Sequence, residues 1–395
     1  MASRTGTALL TLGRLPKGLE IARALHSAGW RVLVAEPHRR HLTGASRSVA
    51  RSVVVPAPND SREAYLDALA DIVRAERVDL VVPVSEEIIH ASFLPERLRQ
   101  LGAPQVRMHA MAPDSLLALH DKLQFVAVCR DAGVDAPESA AIDSAAAVEI
   151  AAAGPYVVKP RHSCSGNGVT FHARGMPLPP DRTTSLVQRF LPGELLSSFS
   201  VVREGRVRLS VVYRGVVMQG SVAVCFERID TPVEIDAWIA RFARHVAFDG
   251  FLSFDFVRTA SGGVQAIECN PRATSGIHFV ARESLARALL APDDRGPLHY
   301  RTQRLLQQFY PCLTETQKSM FRRGFFAKLR ALRGAADVSF EVRDPWPFIG
   351  MPWTSWPIIA ESLRRGRTFG EVATLDVGWY PAGDDVAEAR ISGVS

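Results

Sequence analysis

The sequence predicts an α/β unit with a parallel sheet, then an α+β unit, then a less regular C-terminal extension. Three observations carry that reading. Short apolar runs alternate with amphipathic helical segments from Ala8 to about Met108. A strand, a Gly-rich loop and a second strand follow at "YVVKP", "SCSGNG" and "VTF". Two further strand-like runs, within "FLSFDFVRTASGGVQAIECNPRATSG", carry Asp255, Glu268 and Asn270. Boundaries are expected at 1–110, 111–290 and 291–395, with the middle unit dividing into a loop-bearing part (about 120–190) and a hairpin-bearing part (about 191–290). A chain of 395 residues with 47% apolar side chains suits two or three packed units.

In the first unit "ALLTL" leads through "GRLPKG" into a helix near Leu19 to Ala28, then come "RVLVA", "SVVVP", a helix from Arg62 to about Ala75, and "DLVVPV". Strands separated by helices imply right-handed crossovers and a parallel, Rossmann-like sheet. The first turn holds only Gly13 and Gly18 and is not GxGxxG, so a dinucleotide has no direct support. Ser85, Glu86 and Glu87 follow the fourth strand at its carboxyl end, where open α/β sheets bind ligands. Glu86 is a candidate substrate contact, and a helix N-terminus with acidic first-turn residues is the alternative.

Pro113 and Asp114 open a helical region, "HDKLQFVAVCRDAGV" reads as a helix ending near Gly133, and an Ala-rich helix spans about Ser144 to Ala153. Lys159 then ends a β-branched run, four residues before the small-residue loop Ser163 to Gly168. A strand-end ammonium and backbone amides at Ser163, Ser165, Gly166 and Gly168 suit phosphate oxygens, although such loops also make ordinary hairpin turns. In "SLVQRFLPGELLSSFSVV" a hinge after Gln188 places Phe190 and Leu191 to offer backbone groups to a flat base between apolar walls.

Side chains alternate along a strand, so Glu268 and Asn270 share a face, and a four-residue loop at Ala260 to Gly263 sets Asp255 opposite Glu268. Two carboxylates and an amide suit a hard divalent cation such as Mg²⁺ better than zinc. A solvated hairpin face is the alternative. Flanking Phe254, Phe256 and Ile267 argue for burial, where the paired charges repel unless a cation joins them.

The order Asp121-Lys122, "VVKP" with its loop, "VQRFLPG", "FDFV" and "IECNPR" resembles the ATP-grasp superfamily of carboxylate-activating ligases, which includes D-alanine:D-alanine ligase, biotin carboxylase and carbamoyl phosphate synthetase. The similarity runs from about Thr7 to Leu290 and implies a Rossmann-like preATP-grasp domain followed by an ATP-grasp fold. It further implies that Lys122 and Lys159 hold ATP phosphates, that Gln188 and the hinge read adenine, and that Asp255, Glu268 and Asn270 bind two Mg²⁺ ions, with Mn²⁺ as a substitute. Glu268 bridges the ions in that scheme, and Arg272 stabilises the transferred phosphoryl group. The family's ribose acid falls on Leu195 here and the acid is Glu194, one residue earlier. Ser275 and His278 are candidates to line the acceptor site, a core-satisfied histidine being the alternative.

The reaction implied is formation of a C–N bond from a small carboxylate and an amine through an acyl phosphate. A biotin-carboxylase-like carboxylase and a non-catalytic ATP-binding regulator are the alternatives. The partners expected are small molecules and a second copy in a homodimer, with no nucleic acid and no membrane. The formal charge of +6 is mild, and the densest basic run, Pro37 to Ser52, lacks aromatics and reads as a solvated loop. The apolar run near the N-terminus is too short for a signal-peptide core, no window has membrane-spanning length, and a cytoplasmic location follows. Five cysteines, at 129, 164, 225, 269 and 312, form no CxxC pair and read as reduced, mostly core residues. The prolines of "DPWPFIGMPWTSWP" forbid a helix through 344–357 and predict a packed irregular arm, and Trp346, Trp353 and Trp356 are expected to anchor the tail as an aromatic seam, a lid over an apolar substrate being the alternative.

Overall fold

The computed structural model describes residues 5–163, 168–180, 184–291 and 296–379. Its first sheet is wholly parallel and contains β1 (Thr7–Leu10), β2 (Arg31–Glu36), β3 (Arg51–Val54), β4 (Leu80–Val82) and β5 (Arg107–Met108) in the order β3-β2-β1-β4-β5. Helices Pro16–Ser27 and Arg62–Glu76 form where the apolar spacing predicts them. Apolar residues on both faces of this sheet, such as Leu10 and Val82 on one and Leu9 and Val81 on the other, are buried in separate cores. Double burial is why these strands read as unbroken apolar runs. At the first turn the amides of Gly13 and Arg14 donate to the Glu36 carboxylate at 2.8 and 3.0 Å, a buried anion standing where a dinucleotide's phosphates would have to accept.

A four-stranded antiparallel sheet follows, made of β6 (Ser139–Ala141), β7 (Tyr156–Pro160), β8 (Thr170–His172) and β9 (Ser185–Arg189) in the order β6-β9-β7-β8. The third sheet comprises β10 (Glu194–Arg203), β11 (Arg206–Gln219), β12 (Val222–Ile229), β13 (Gly250–Arg258), β14 (Val264–Asn270), β15 (Leu305–Gln307) and β16 (Ala336–Asp337), ordered β14-β13-β10-β11-β12-β15-β16. Period-two alternation splits its side chains between two cores. Phe199, Val201 and Phe251 pack toward the first sheet, whereas Leu196, Phe254 and Phe256 pack on helices Lys122–Asp131 and Val233–His245 with Phe125, Trp238 and Phe242. Asp255 shares a face with Phe251, so the hairpin carboxylates look toward the N-terminal unit.

The extension departs from its expected form in two ways. Its prolines start helices: Pro347, Pro352 and Pro357 sit in the first turns of Trp346–Ile349, Met351–Thr354 and Trp356–Arg365, where a missing amide hydrogen costs nothing. The tryptophans form no buried seam, and Trp346, Trp353 and Trp356 are all exposed. Charged clamps anchor the tail instead. Arg23 pairs with buried Asp344 at 2.9 Å, and Arg14 pairs with Asp376 at 2.6 Å. The basic run at 37–52 is therefore not simply solvated, because Ser46 Oγ and the Arg47 amide donate to Asp344 at 2.6 and 3.1 Å.

Candidate active site

β13 and β14 pair antiparallel with Asp255 opposite Glu268 and Ser253 opposite Asn270, which puts both carboxylates and the amide on one face. The turn is one residue longer than its spacing suggests, since Arg258 pairs with Val264 and leaves 259–263 as the loop. That extra residue would slide Glu268 out of line with Asp255. A bulge at Ile267 restores the register, because Phe256 opposes Ala266 while Asp255 opposes Glu268. The bulged carbonyl accepts from Lys159 Nζ at 3.4 Å.

Asp255 Oδ1 accepts from Ser197 Oγ at 2.6 Å and its Oδ2 from Asn270 Nδ2 at 3.1 Å. Burial, and next the charge of Glu268, holds the Asp255 carboxyl above its ordinary value. Glu268 Oε1 lies 3.2 Å from the ammonium of Lys122, which also donates to Ser163 O at 2.7 Å and Ser163 Oγ at 3.2 Å. Asp121 fixes that lysine's helix by capping the amides of Leu123 and Gln124 at 2.9 and 3.3 Å. Lys159 is buried near the end of β7 and donates to Gln188 Oε1 at 2.8 Å. Its burial pulls the ammonium's pKa down to about 8 against the opposing charge of Glu268. Part of the cationic compensation expected between the carboxylates thus comes from the chain's own lysines.

Arg272 leaves the end of β14 and reaches the first sheet. Its Nη2 lies 2.6 Å from Glu86 Oε1 and donates to Asn270 Oδ1 at 3.0 Å. Glu86 and Glu87 divide two roles that the sequence left together. Glu87 caps the turn, accepting from the amides of Val84 (2.6 Å) and Ser85 (3.0 Å) and from Thr11 Oγ1 (2.8 Å). Glu86 is engaged by Arg272.

The remaining candidates are placed unevenly. Gln188 turns its side chain away from a hinge role, accepting from Lys159 and donating to Ser139 Oγ at 3.1 Å. The Phe190 amide is spent on Pro155 O at 3.0 Å, so of the hinge pair only Leu191 is left to offer an amide. The exposed Phe190 ring meets exposed Phe171 edge-on at 6.0 Å, an apolar wall on the small sheet. Glu194 opposes Arg258 on the face opposite Asp255 and pairs with Arg258 and Arg214 at 2.6 and 3.1 Å, while exposed Leu195 takes the Asp255 face. Gly168 has φ +73°, and a Cβ there would stand 2.7 Å from Pro160 Cγ, so that position needs glycine twice over. Ser165 and Gly166 lie outside the described residues. Half-buried Ser275 opens the short helical turn Ser275–Phe279. His278, in the same turn, is buried against Glu20 at 3.1 Å and takes the core-satisfied alternative instead of lining the acceptor site.

Three further residues stand beside this set with little to mark them in sequence beyond closeness to a motif. The His162 ring lies 5.8 Å from that of His120 and 5.2 Å from that of Trp379. Burial lowers His120 to about 4, with Glu86 opposing.

An open parallel sheet joined to a lysine-bearing antiparallel sheet and a carboxylate-bearing hairpin defines a class that the comparisons name. Residues 119–276 match the ATP-grasp domain family, and the chain carries an ATP-grasp domain over that span. A curated relative, the carbamoyl phosphate synthase arginine-specific large chain of Arabidopsis thaliana, is 24% identical over 205 residues. That alignment covers 46% of this chain and only 17% of the relative's length. Among solved structures, N5-carboxyaminoimidazole synthetase from Staphylococcus aureus superposes with a TM-score of 0.60 at 13% identity, covering 81% of this chain and 86% of that one. A biotin carboxylase from Campylobacter jejuni gives 0.59 at 13%, covering 74% and 73%. An L-amino acid ligase from Bacillus licheniformis gives 0.55 at 14%, covering 74% and 75%. At these identities the likeness is one of fold.

Proposed function

We propose that this chain is an ATP-dependent ligase that activates a small carboxylate as an acyl phosphate and joins it to an amine, releasing ADP and phosphate. The observation that carries the reading is the meeting of Lys122, Lys159, Asp255, Glu268, Asn270 and Arg272 around one hairpin face. Oxygen donors alone, with Cys269 turned to the opposite face, fit Mg²⁺. So does the raised Asp255, whose repulsion from Glu268 a divalent cation would relieve. Asp255, Glu268 and Asn270 would hold the ion, which when bound supplies charge neutralisation at phosphate oxygens.

The chain's own groups position and stabilise, which is most of what phosphoryl transfer asks of a protein. Lys122 and Lys159 bring ammonium groups to the phosphates, and the Phe171–Phe190 wall suits the base. Arg272 supplies a guanidinium where charge develops on the transferred group. A carboxylate oxygen attacks the γ-phosphorus as the bond to ADP breaks. The amine lone pair then attacks the carbonyl carbon, phosphate leaves with the bridging oxygen, and the amine gives up a proton.

The test is ¹⁸O in the substrate carboxylate, screened with pools of carboxylates and amines. Label is expected in released phosphate, with ADP as the nucleotide product. Label in AMP would indicate an adenylating enzyme, and phosphate oxygen drawn from water a hydrolase. Either result removes the acyl-phosphate mechanism.

A further inference from the structure

The chain's positive charge is concentrated in one place. Residues 301–367 contain twelve Lys and Arg against five Asp and Glu, a surplus of seven where the whole chain has +6. The five acids are engaged within the protein. Asp344 is held by Arg23, Glu341 by Arg282, Glu315 by Lys318 and Glu361 by Arg364, while Asp337 accepts from the amides of Ser339 and Phe340.

Between helices Phe309–Lys318 and Phe325–Gly334 the surface carries large apolar side chains beside this charge. Phe321 is 97% exposed and Phe326 79%. Phe321 also has φ +67°, a left-handed conformation that a bulky L side chain adopts only against its preference. The turn therefore holds a phenyl ring out in water at a conformational cost, with Arg322 and Arg323 next to it. Along the following helix Phe326, Arg330 and Arg333 are spaced to share one outward face, and all three are exposed. None of these four arginines has an ion-pair partner among the described residues.

We propose that the turn and outer helix face at 320–334 are a peripheral docking site for an anionic lipid surface, with Phe321 and Phe326 entering the headgroup boundary and the arginines meeting lipid phosphates. Charge decides the occupant. A second copy would bring an equally basic face against this one and be repelled, whereas an anionic bilayer is complementary along its whole surface. Protruding rings on a turn also suit insertion better than a groove does. No described helix is long and apolar enough to cross a membrane, and this contact needs none. The expectation of no membrane partner rested on spanning length alone. The inference is independent of the ligase reading.

The full chain is to be co-sedimented with vesicles of phosphatidylcholine containing about one-third phosphatidylserine, and with pure phosphatidylcholine, at low and high salt. Binding is expected to the anionic vesicles only and to weaken with salt. Replacing Arg322 and Arg323 together by Ser should lower the partition coefficient roughly 10- to 30-fold. Phe321→Asn should lower it at every salt concentration while leaving Tm unchanged or higher, since Asn tolerates the left-handed conformation. Absence of sedimentation with either vesicle, equal binding to both, or arginine variants that retain vesicle binding would each overturn the proposal. So would an oligomer in analytical ultracentrifugation that the same substitutions dissociate, which would assign the surface to a second copy.

Discussion

Replacing Glu86 tests the link between the first sheet and the hairpin. Glu86 Oε1 and Arg272 Nη2 are 2.6 Å apart with side chains only 7% and 14% exposed, so solvent screening is slight. Glutamine keeps the length and an acceptor oxygen but loses the charge. A bond to a charged group contributes about 1.5–3 kcal/mol and a neutral one about 0.5–1.5 kcal/mol, so Glu86→Gln should cost on the order of 1–2 kcal/mol. Glu86→Ala removes the carboxylate paired with the guanidinium at 2.6 Å and should cost on the order of 3–5 kcal/mol. For a cooperative unit of domain size these losses correspond to Tm decreases of about 2–8 °C and about 6–20 °C. Burial alone, the largest single effect, would raise the Glu86 carboxyl, but the charge and hydrogen bond of Arg272 together with the charges of His120 and Lys17 outweigh it, and the folded value lies below the ordinary one. The stabilisation is therefore complete above about pH 4.3 and fades as pH falls through the lower folded value. Thermal unfolding followed by circular dichroism, in a cycle with Arg272→Met, isolates the pair. Glu86→Ala should cost far less in the Arg272→Met background. Additive effects within about 0.5 kcal/mol would refute the pairing.

Two further outcomes are expected. Under the proposed phosphate role of Lys159 its ammonium, lowered by burial to about 8, would be the binding form, so the KM for ATP should be flat below that pH and rise above it, while Lys159→Arg should flatten the profile. A wild-type profile that stays flat well above pH 8 would remove Lys159 from the phosphate site. Glu194 faces away from Asp255 and is half-exposed between two arginines, so Glu194→Ala should change the KM for ATP less than about twofold and cost at most about 1 kcal/mol of stability. A rise in KM of an order of magnitude would show that the carboxylate reaches the nucleotide.

What the sequence determined by itself is what short-range geometry controls. Alternation alone placed Glu268 and Asn270 on one face and Leu195 and Glu194 on opposite faces, because side-chain direction in a strand depends only on residue parity. The parallel sheet was legible for the same reason, since burial on both faces leaves unbroken apolar runs. Tertiary structure decided everything that depends on distant chain segments. The opposition of Asp255 and Glu268 survives a longer turn only through the bulge at Ile267, which no local pattern announces. Glu86 meets Arg272, and Lys122 meets Glu268, across separations that no periodicity records. Buried Glu20 took His278 from the expected acceptor lining, and the Gln188 side chain is committed to Lys159 within the site, because buried polar atoms take the partners that the tertiary fold brings to them. The tryptophans of the extension are the sharpest case. Hydrophobicity argued for burial, yet whether an apolar side chain is covered depends on which surface lies opposite it, and around Trp353 the described residues leave it exposed.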